Sequence, residues 1–233
     1  MSEGPAGQAE QSLPGEELPG EELRGAEVRD ALAPRPVLEA IRLHQGMIWD
    51  VVAERADLGE AGTVRREFIS HPGAVAVVAL DTRGRVLLVQ QYRHPTRHLL
   101  WELPAGLLDV SGEPPAAAAE RELAEEADLL AGRWDVLLDV FMSPGGSDEA
   151  VRIFLAREVS AVPSADRFTR EHEEAGMRTA WVDLDEARDA VLAGRVHSPT
   201  AVAGLMAAGI ARDRGWSTLR PSDAPWPEHK AYR

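Results

Sequence analysis

The 233-residue sequence contains no cysteine, and its basic residues are outnumbered by its acidic ones. Without cysteine the chain forms neither disulfides nor thiolate zinc sites, and it has no cysteine nucleophile. The same absence fits a reducing compartment, and we therefore expect a cytoplasmic protein. The sequence also lacks an apolar run of about eighteen residues and a basic, apolar leader, so we expect neither a transmembrane helix nor a secretory signal.

The charge balance restricts the classes of partner. The 25 Lys and Arg residues and the 39 Asp and Glu residues give a formal net charge of −14. Sequence-independent binding of nucleic acid depends on basic patches, so this balance argues against a nucleic-acid partner. An acidic excess serves either a solvated surface or a carboxylate cluster that holds cations, and the position of the charge distinguishes the two.

The chain divides by composition into four segments. Residues 1–36 carry eight acidic and three basic residues and few large apolar ones, which predicts a disordered acidic tail in preference to a docking segment. Residues 37–70 are interpreted as a small N-terminal antiparallel strand subdomain and residues 71–212 as the main domain. Residues 213–233, rich in Pro and Trp, are interpreted as an irregular C-terminal arm.

Short apolar or alternating runs predict strands along most of the chain. We place them at residues 47–52, 63–69, 73–80, 86–92, 136–141, 151–155 and 179–182. Helices are predicted at 115–130, at 185–194 and at 199–212, two of them beginning at proline. Strands mixed with few helices, without regular βαβ alternation, predict an α+β fold, arranged as an α/β/α sandwich with a mixed sheet.

The most informative segment is Gly106–Leu130, which holds seven acidic residues and one base, Arg121. Glu122, Glu125 and Glu126 share one face of the predicted helix because they are three and four positions apart. Like charges on one face cost helix stability, whereas hard divalent cations such as Mg²⁺ take such carboxylates as ligands. By spacing alone, a metal site and a solvated Glu-rich helix are equally good interpretations.

The same segment resembles the Nudix box. The matching positions are Gly106, Glu113, Arg121, Glu122, Leu123, Glu125, Glu126 and Leu129. Two features depart from the box: one extra residue separates Gly106 from Glu113, and Asp128 stands where the box has glycine. Asp tolerates the left-handed conformation of a helix end better than most residues, and Gly132 is the alternative stop signal.

The resemblance implies a Nudix α/β/α sandwich that hydrolyses a diphosphate with Mg²⁺, or with Mn²⁺. It assigns Glu122 and Glu126 as direct metal ligands, Glu125 as a direct or water-mediated ligand, and the carbonyl of Ala105 as a further ligand. Arg121 and Glu113 are expected to pair and so to hold the loop on the helix. Cations at such a site neutralise phosphate charge and lower the pKa of the attacking water.

Other motifs resemble the ADP-ribose pyrophosphatase branch of this family, particularly its actinobacterial members. They are residues 65–67 (RRE), 90–93 (QQYR) and 100–106 (LWELPAG), and Pro144, fifteen residues after Leu129. The resemblance implies that the substrate is ADP-ribose and that the products are AMP and ribose 5-phosphate.

The same resemblance suggests substrate contacts. Arg93 is expected at a phosphate or at the terminal ribose, Arg66 and Glu67 at adenine or ribose, and Trp49 stacked on adenine. Glu149 is expected to support substrate or metal. The ordinary interpretation of each arginine is a surface ion pair, and that of Trp49 is a half-buried strand aromatic.

The general base is expected between two late strands, in residues 170–177. Alignment on the following strand favours Glu174, then Glu173, with Glu171 as a third candidate and a solvated charge run as the alternative. The branch also exchanges N-terminal strands between subunits. A homodimer is therefore expected, in which Arg66 and Trp49 serve the partner's site.

Two alternatives to ADP-ribose hydrolysis stay open. The first is a diphosphatase for another nucleoside diphosphate sugar, for NADH or for a flavin dinucleotide. The second belongs to another class, a Nudix-like module that senses ADP-ribose without cleaving it. The complete glutamate face argues against the sensor, because a pure sensor has no use for it.

Overall fold

The computed structural model describes residues 24–168 and 176–232, and the chain forms two compact units, Met1–Pro34 and Arg35–Arg233. In the first unit, the described residues 24–34 are exposed and contain a turn, with neither helix nor strand among them. Across the two described ranges, none of the helices is long and apolar enough to cross a membrane.

The second unit begins with a three-stranded antiparallel sheet in the order β1-β2-β3. Its strands are β1 Val37–Gln45, β2 Asp50–Asp57 and β3 Thr63–Ser70. The strand predicted from Met47 begins instead at Asp50, because Gly46 donates to the carbonyl of Trp49 across a tight turn. The sequence pattern did not predict β1, whose apolar and polar residues do not alternate cleanly and whose nine residues are all exposed.

Two further sheets carry the rest of the fold, in the orders β11-β8-β9-β4-β7 and β10-β5-β6. Their strands are β4 Ala74–Ala79, β5 Arg85–Arg93, β6 His98–Glu102, β7 Ala105–Leu107, β8 Leu129–Phe141, β9 Ala150–Ala161, β10 Arg178–Asp183 and β11 Arg220–Pro221. Strands β4 and β9 run parallel and the other pairs antiparallel, which makes the larger sheet mixed, as predicted. Strands β6 and β7 were not predicted, since both are short and Pro104 separates them.

Helices cover both faces of the larger sheet. They are α1 Pro115–Ala127, α2 Leu184–Leu192 and α3 Pro199–Asp213. Strand β4 shows why helices pack on both faces of the sheet. Val75 and Val77 pack with α1, whereas Ala76 and Val78 pack with α2 and α3. Successive side chains of a strand point to opposite faces, so a continuous apolar strand must be buried on both. The predicted α/β/α sandwich is confirmed.

The helix ends follow local chemistry. Asp183 caps α2, because its Oδ1 accepts hydrogen bonds from the backbone N–H groups of Asp185 and Glu186. Helix α1 ends at Asp128, whose φ of 53° is left-handed. Asp128 therefore performs the role of the box glycine. Gly132 lies inside β8 and does not stop the helix.

The C-terminal arm packs onto β8 and β9. Arg152 of β9 is 2% exposed and makes two hydrogen bonds to the carboxylate of Asp139, at 2.8 and 3.0 Å. It also donates to the carbonyls of Ala224 (2.6 Å) and Pro225 (3.1 Å), and its guanidinium lies 4.7 Å from the ring centre of Trp226. A buried charge is tolerated only when it is fully paired, so the arm completes the environment of Arg152.

We predict that Trp226→Ala lowers the free energy of unfolding by about 3 kcal/mol, because truncating a buried tryptophan leaves a cavity and admits water to Arg152. Chemical denaturation of the purified protein measures this change. Tyr232→Phe is the control, since it keeps the ring that stacks on Trp226 at 5.8 Å and removes the hydroxyl alone. An unchanged denaturation midpoint for Trp226→Ala would show that the arm does not contribute to the core.

Candidate active site

Helix α1 presents Glu122 and Glu126 to β7 because the adjoining face of the helix is fixed in the core. Ala118, Ala119 and Leu123 are fully buried against the sheet. Residues three and four positions apart share a helix face, so this packing sets the rotation of the helix and directs Glu122 and Glu126 toward β7.

Glu126 is held by the backbone of β7. It is 7% exposed, and its Oε2 accepts a hydrogen bond of 3.0 Å from the N–H of Ala105. A hydrogen bond from a backbone N–H stabilises the charged form of a buried carboxylate. The residue that the sequence nominated as a carbonyl ligand, Ala105, therefore lies directly beside the nominated carboxylate ligand.

Gly106 lets Glu122 approach the strand. A Cβ atom at position 106 would lie 2.0 Å from both Cδ and Oε1 of Glu122, which is far inside contact distance. Glycine is required here for close approach, rather than for an unusual backbone conformation. The strand and the helix thus hold Glu122 and Glu126 side by side.

Arg121 organises the remaining carboxylates. Its guanidinium makes two hydrogen bonds of 3.1 Å to Glu113, and one each to Glu122 (2.6 Å) and Glu125 (3.2 Å). The hydrogen bonds that Arg121 donates to Glu113, with the nearby charge of Glu122, raise the pKa of Arg121 above its usual value despite partial burial. The predicted pair of Arg121 and Glu113 is present, and it fixes residues 107–114 on the helix.

The donor set of this cluster fits a divalent cation. Four glutamates and one arginine give it a net charge of −3, in side chains that are at most 29% exposed. Within residues 24–168 and 176–232, no three Asp, Glu or His side chains are arranged so that they could hold a metal ion by themselves. The cluster therefore suits a hard cation that takes part of its shell from water and substrate phosphates, as Mg²⁺ does.

A cavity of about 500 Å³ opens beside these carboxylates. Its wall includes Ala105 and Gly106 of β7, together with Trp49, Arg93 and Glu149 from the predicted substrate contacts. The structure thus brings three of the five predicted substrate residues to one cavity, whose wall includes the two β7 residues that contact Glu122 and Glu126. A volume of this size is typical of small-molecule sites.

Arg93 is positioned by a buried partner. Its guanidinium makes a two-bond contact with Glu102, at 3.0 and 2.7 Å, and Glu102 is 6% exposed. The two residues lie on neighbouring strands but are not register partners, since Arg93 of β5 pairs with His98 and Glu102 of β6 pairs with Val89. A planar two-bond contact fixes the orientation of the guanidinium at the cavity wall, where it suits an anionic or hydroxyl ligand.

His71 and Glu149 form a second polar group on the cavity wall. Nε2 of His71 lies 3.8 Å from Oε1 of Glu149, and the side chain of His71 is 11% exposed. Burial lowers the pKa of His71 below its usual value, although Glu149 and Asp148 act in the opposite direction. Its ring is therefore neutral at neutral pH.

Arg66 and Glu67 lie elsewhere in this chain. They line a separate depression of about 440 Å³ together with Pro144 and neighbouring residues of the 143–149 loop. Arg65 pairs with Glu67 at 2.8 Å. Their assignment to substrate stays a prediction that requires a second subunit. Trp49, also expected at the partner's site, instead lines the cavity of its own chain.

The predicted base candidates Glu171, Glu173 and Glu174 lie outside the described residues, which end at 168 and resume at 176. Residues that the sequence did not nominate also line the cavity, including His71, Glu102, Ser198 and Thr200. Glu102 lies in the LWELPAG motif, so this motif could have identified it as a site residue from the sequence. His71 and Thr200 are far apart in the chain, and no local pattern joins them.

Comparison with known proteins gives consistent results. A family model described as the NUDIX domain matches residues 70–201, more than half of the chain. The chain is similar to an ADP-ribose pyrophosphatase of Mycobacterium tuberculosis, 44% identical over 184 residues, which covers 79% of this chain and 87% of the relative. It is also similar to an ADP-ribose pyrophosphatase of Bacillus subtilis, 37% identical over 121 residues, covering 52% of this chain and 65% of the relative.

A solved structure described as an ADP compounds hydrolase has a similar fold, with a TM-score of 0.64 and 19% identity. The match covers 80% of this chain and 99% of the other. At this identity the likeness concerns the fold alone.

We predict that Gly106→Ala reduces cation-dependent diphosphate hydrolysis about tenfold or more. Groups that orient metal ligands typically contribute about 10–100-fold to metal affinity or activity. The new methyl group displaces the carboxylate of Glu122, which is the end of a flexible side chain, so stability changes little. Activity is measured as a function of cation concentration.

Gly209→Ala is the matched control for this substitution. There a new methyl group also meets the end of a charged side chain, that of Arg188, but on helix α3 away from the cluster. Equal effects of the two substitutions on activity would contradict the role assigned to Gly106.

Proposed function

Because this chain belongs to the Nudix family, we propose that it is a hydrolase that cleaves the diphosphate of ADP-ribose into AMP and ribose 5-phosphate. The observation that carries the proposal is a cavity of about 500 Å³ that opens beside a glutamate cluster, in a chain 44% identical to an ADP-ribose pyrophosphatase over most of both lengths. A diphosphate requires both features, a binding space and cation ligands beside it.

Members of this family use divalent cations, and we propose Mg²⁺, with Mn²⁺ as a possible replacement. Glu122, Glu125, Glu126 and the carbonyl of Ala105 are the proposed ligands. The contact of Glu126 with the Ala105 N–H supports this set, because it makes the two residues direct neighbours. When bound, the cation neutralises phosphate charge and lowers the pKa of the attacking water.

The other residues have proposed roles in binding and proton transfer. Arg93, held by Glu102, orients a phosphate or ribose, Trp49 stacks on adenine, and Glu149 binds the substrate. Glu174, with Glu173 as the second candidate, accepts the proton of the attacking water. A carboxylate is suited to this step when its loop brings it within hydrogen-bond distance of the water.

A homodimer in the cytoplasm is also proposed. The dimer is supported by the N-terminal sheet, in which four apolar residues of β1 are each at least 45% exposed: Val37, Leu38, Ile41 and Leu43. Contiguous exposed apolar residues are characteristic of interfaces. In this dimer Arg66 and Glu67 reach the substrate of the partner subunit.

The experiment is a substrate panel with Mg²⁺, in which products are treated with a phosphatase and the released phosphate is measured. ADP-ribose is expected to be hydrolysed faster than nucleoside diphosphate sugars, NADH or flavin dinucleotide. Faster hydrolysis of one of these other compounds would identify that compound, rather than ADP-ribose, as the substrate. Tight binding of ADP-ribose without hydrolysis of any compound would instead identify a sensor.

Glu126→Gln and Glu174→Gln are predicted to impair different steps, the first cation binding and the second proton transfer. Gln at 126 keeps an oxygen for the Ala105 N–H but loses the charge, so cation affinity by calorimetry and activity both fall, the latter by more than about 100-fold. Gln at 174 is expected to lower turnover by about 100- to 10,000-fold with cation affinity unchanged. If Glu173→Gln shows this second pattern and Glu174→Gln does not, the base is Glu173.

A further inference from the structure

His71 is held on the cavity wall by hydrogen bonds of both its backbone and its ring. Its backbone N–H donates to Oδ1 of Asp148 at 2.7 Å, and its ring Nδ1 accepts a hydrogen bond of 3.1 Å from the N–H of Gly73. Gly73 has a φ of 90°, a conformation that glycine adopts without strain. The backbone turn after His71 thus holds the ring from one side.

The C-terminal arm holds the same turn from the other side. Nε2 of His229 donates to the carbonyl of Pro72 at 2.9 Å, and His229 is 2% exposed. Lys230 donates to Oδ2 of Asp148 at 2.8 Å and to the hydroxyl of Ser70 at 3.0 Å. Residues on both sides of His71 are therefore tied to the last part of the chain.

The contact with Gly73 determines where His71 carries its proton. Nδ1 receives a backbone N–H and so must present a lone pair, which places the proton of the neutral ring on Nε2. The Nε2–H faces Oε1 of Glu149 at 3.8 Å, a separation too long for a hydrogen bond. One donor and one acceptor thus stand close together on the cavity wall without bonding each other directly.

This pair suits hydroxyl groups rather than phosphate. A phosphate oxygen at His71 would lie beside the carboxylate of Glu149, and like charges repel. A hydroxyl group both accepts and donates, and two hydroxyls on adjacent carbons are spaced closely enough for one to accept from Nε2–H while the other donates to Oε1.

We propose that His71 and Glu149 together bind the vicinal hydroxyls of a ribose of the substrate, with His71 as donor and Glu149 as acceptor. This inference rests on the proposed function, since it names the part of ADP-ribose that this wall recognises. It makes His71 a specificity-determining residue, because a site built to bond a hydroxyl discriminates against an analogue that lacks it.

The test compares the wild type with His71→Asn on three substrates: ADP-ribose and its two analogues that lack the 2- and 3-hydroxyls of one ribose, either the terminal or the adenosine ribose. Asn keeps an oxygen near the Nδ1 position for the Gly73 N–H but does not reach the cavity as Nε2–H does. The expected result is a loss of about tenfold in kcat/KM for ADP-ribose. For one of the analogues, the variant and the wild type should be equal, which also identifies the ribose.

A purely structural role for His71 would lower kcat/KM for all three substrates by the same factor, and that result would overturn the proposal. Equal activity of the variant and the wild type on ADP-ribose would overturn it too. His197→Asn, at an exposed position, is the control for the substitution itself. Thermal unfolding of each variant shows whether the fold is kept.

Failure of the proposed function is a separate outcome. If the wild type hydrolyses none of the three compounds, ADP-ribose hydrolysis is wrong, and affinities measured by calorimetry replace kcat/KM in the same comparison. A loss of affinity in His71→Asn that is confined to ligands with the hydroxyls would still support the ribose site. A uniform loss, or none, would contradict it.

Discussion

The structure depends on how it accommodates the negative charges of Glu122, Glu125 and Glu126, which lie together on the last two turns of α1. Like charges on one face repel one another, and the helix tolerates them because the adjoining face is buried against the larger sheet and because neighbouring groups bond the carboxylates. Arg121 bonds Glu122 and Glu125 of that face and Glu113 of the preceding loop, and the Ala105 N–H bonds Glu126. The charge that remains is what a divalent cation requires.

The rest of the fold positions the partners of that face. Strand β4, buried on both sides, pairs with β7 and so fixes Ala105 and Gly106 against the helix. The pairing of β5 and β6 brings Arg93 within hydrogen-bond distance of Glu102. The end of β3 is joined to the 143–149 loop by hydrogen bonds between Ile69 and both Gly146 and Asp148. One cavity therefore collects side chains from segments that are distant in sequence.

Several elements were accessible to sequence reasoning because their signals are local. The apolar run of β4, the proline starts of α1 and α3 and the capping Asp183 each depend on neighbours within a few residues. The glutamate face follows from helical periodicity, and the Nudix resemblance then supplied its chemistry. Strand β1 was missed because its pattern is irregular and its residues are exposed. The arm was interpreted as irregular because nothing near Trp226 in sequence indicates its contact with Arg152.

The sequence by itself determined the family, the layered fold class and the carboxylates that are suited to a cation, because each is encoded by residue types at short, regular spacings. Only the tertiary structure decided which residues share the cavity, and it separated Arg66 and Glu67 from Trp49, Arg93 and Glu149 within one chain. It alone brought His71, Glu149 and the arm together. The physical reason is that these contacts join residues about 80 to 160 positions apart, and strand pairing and burial, rather than local periodicity, select them.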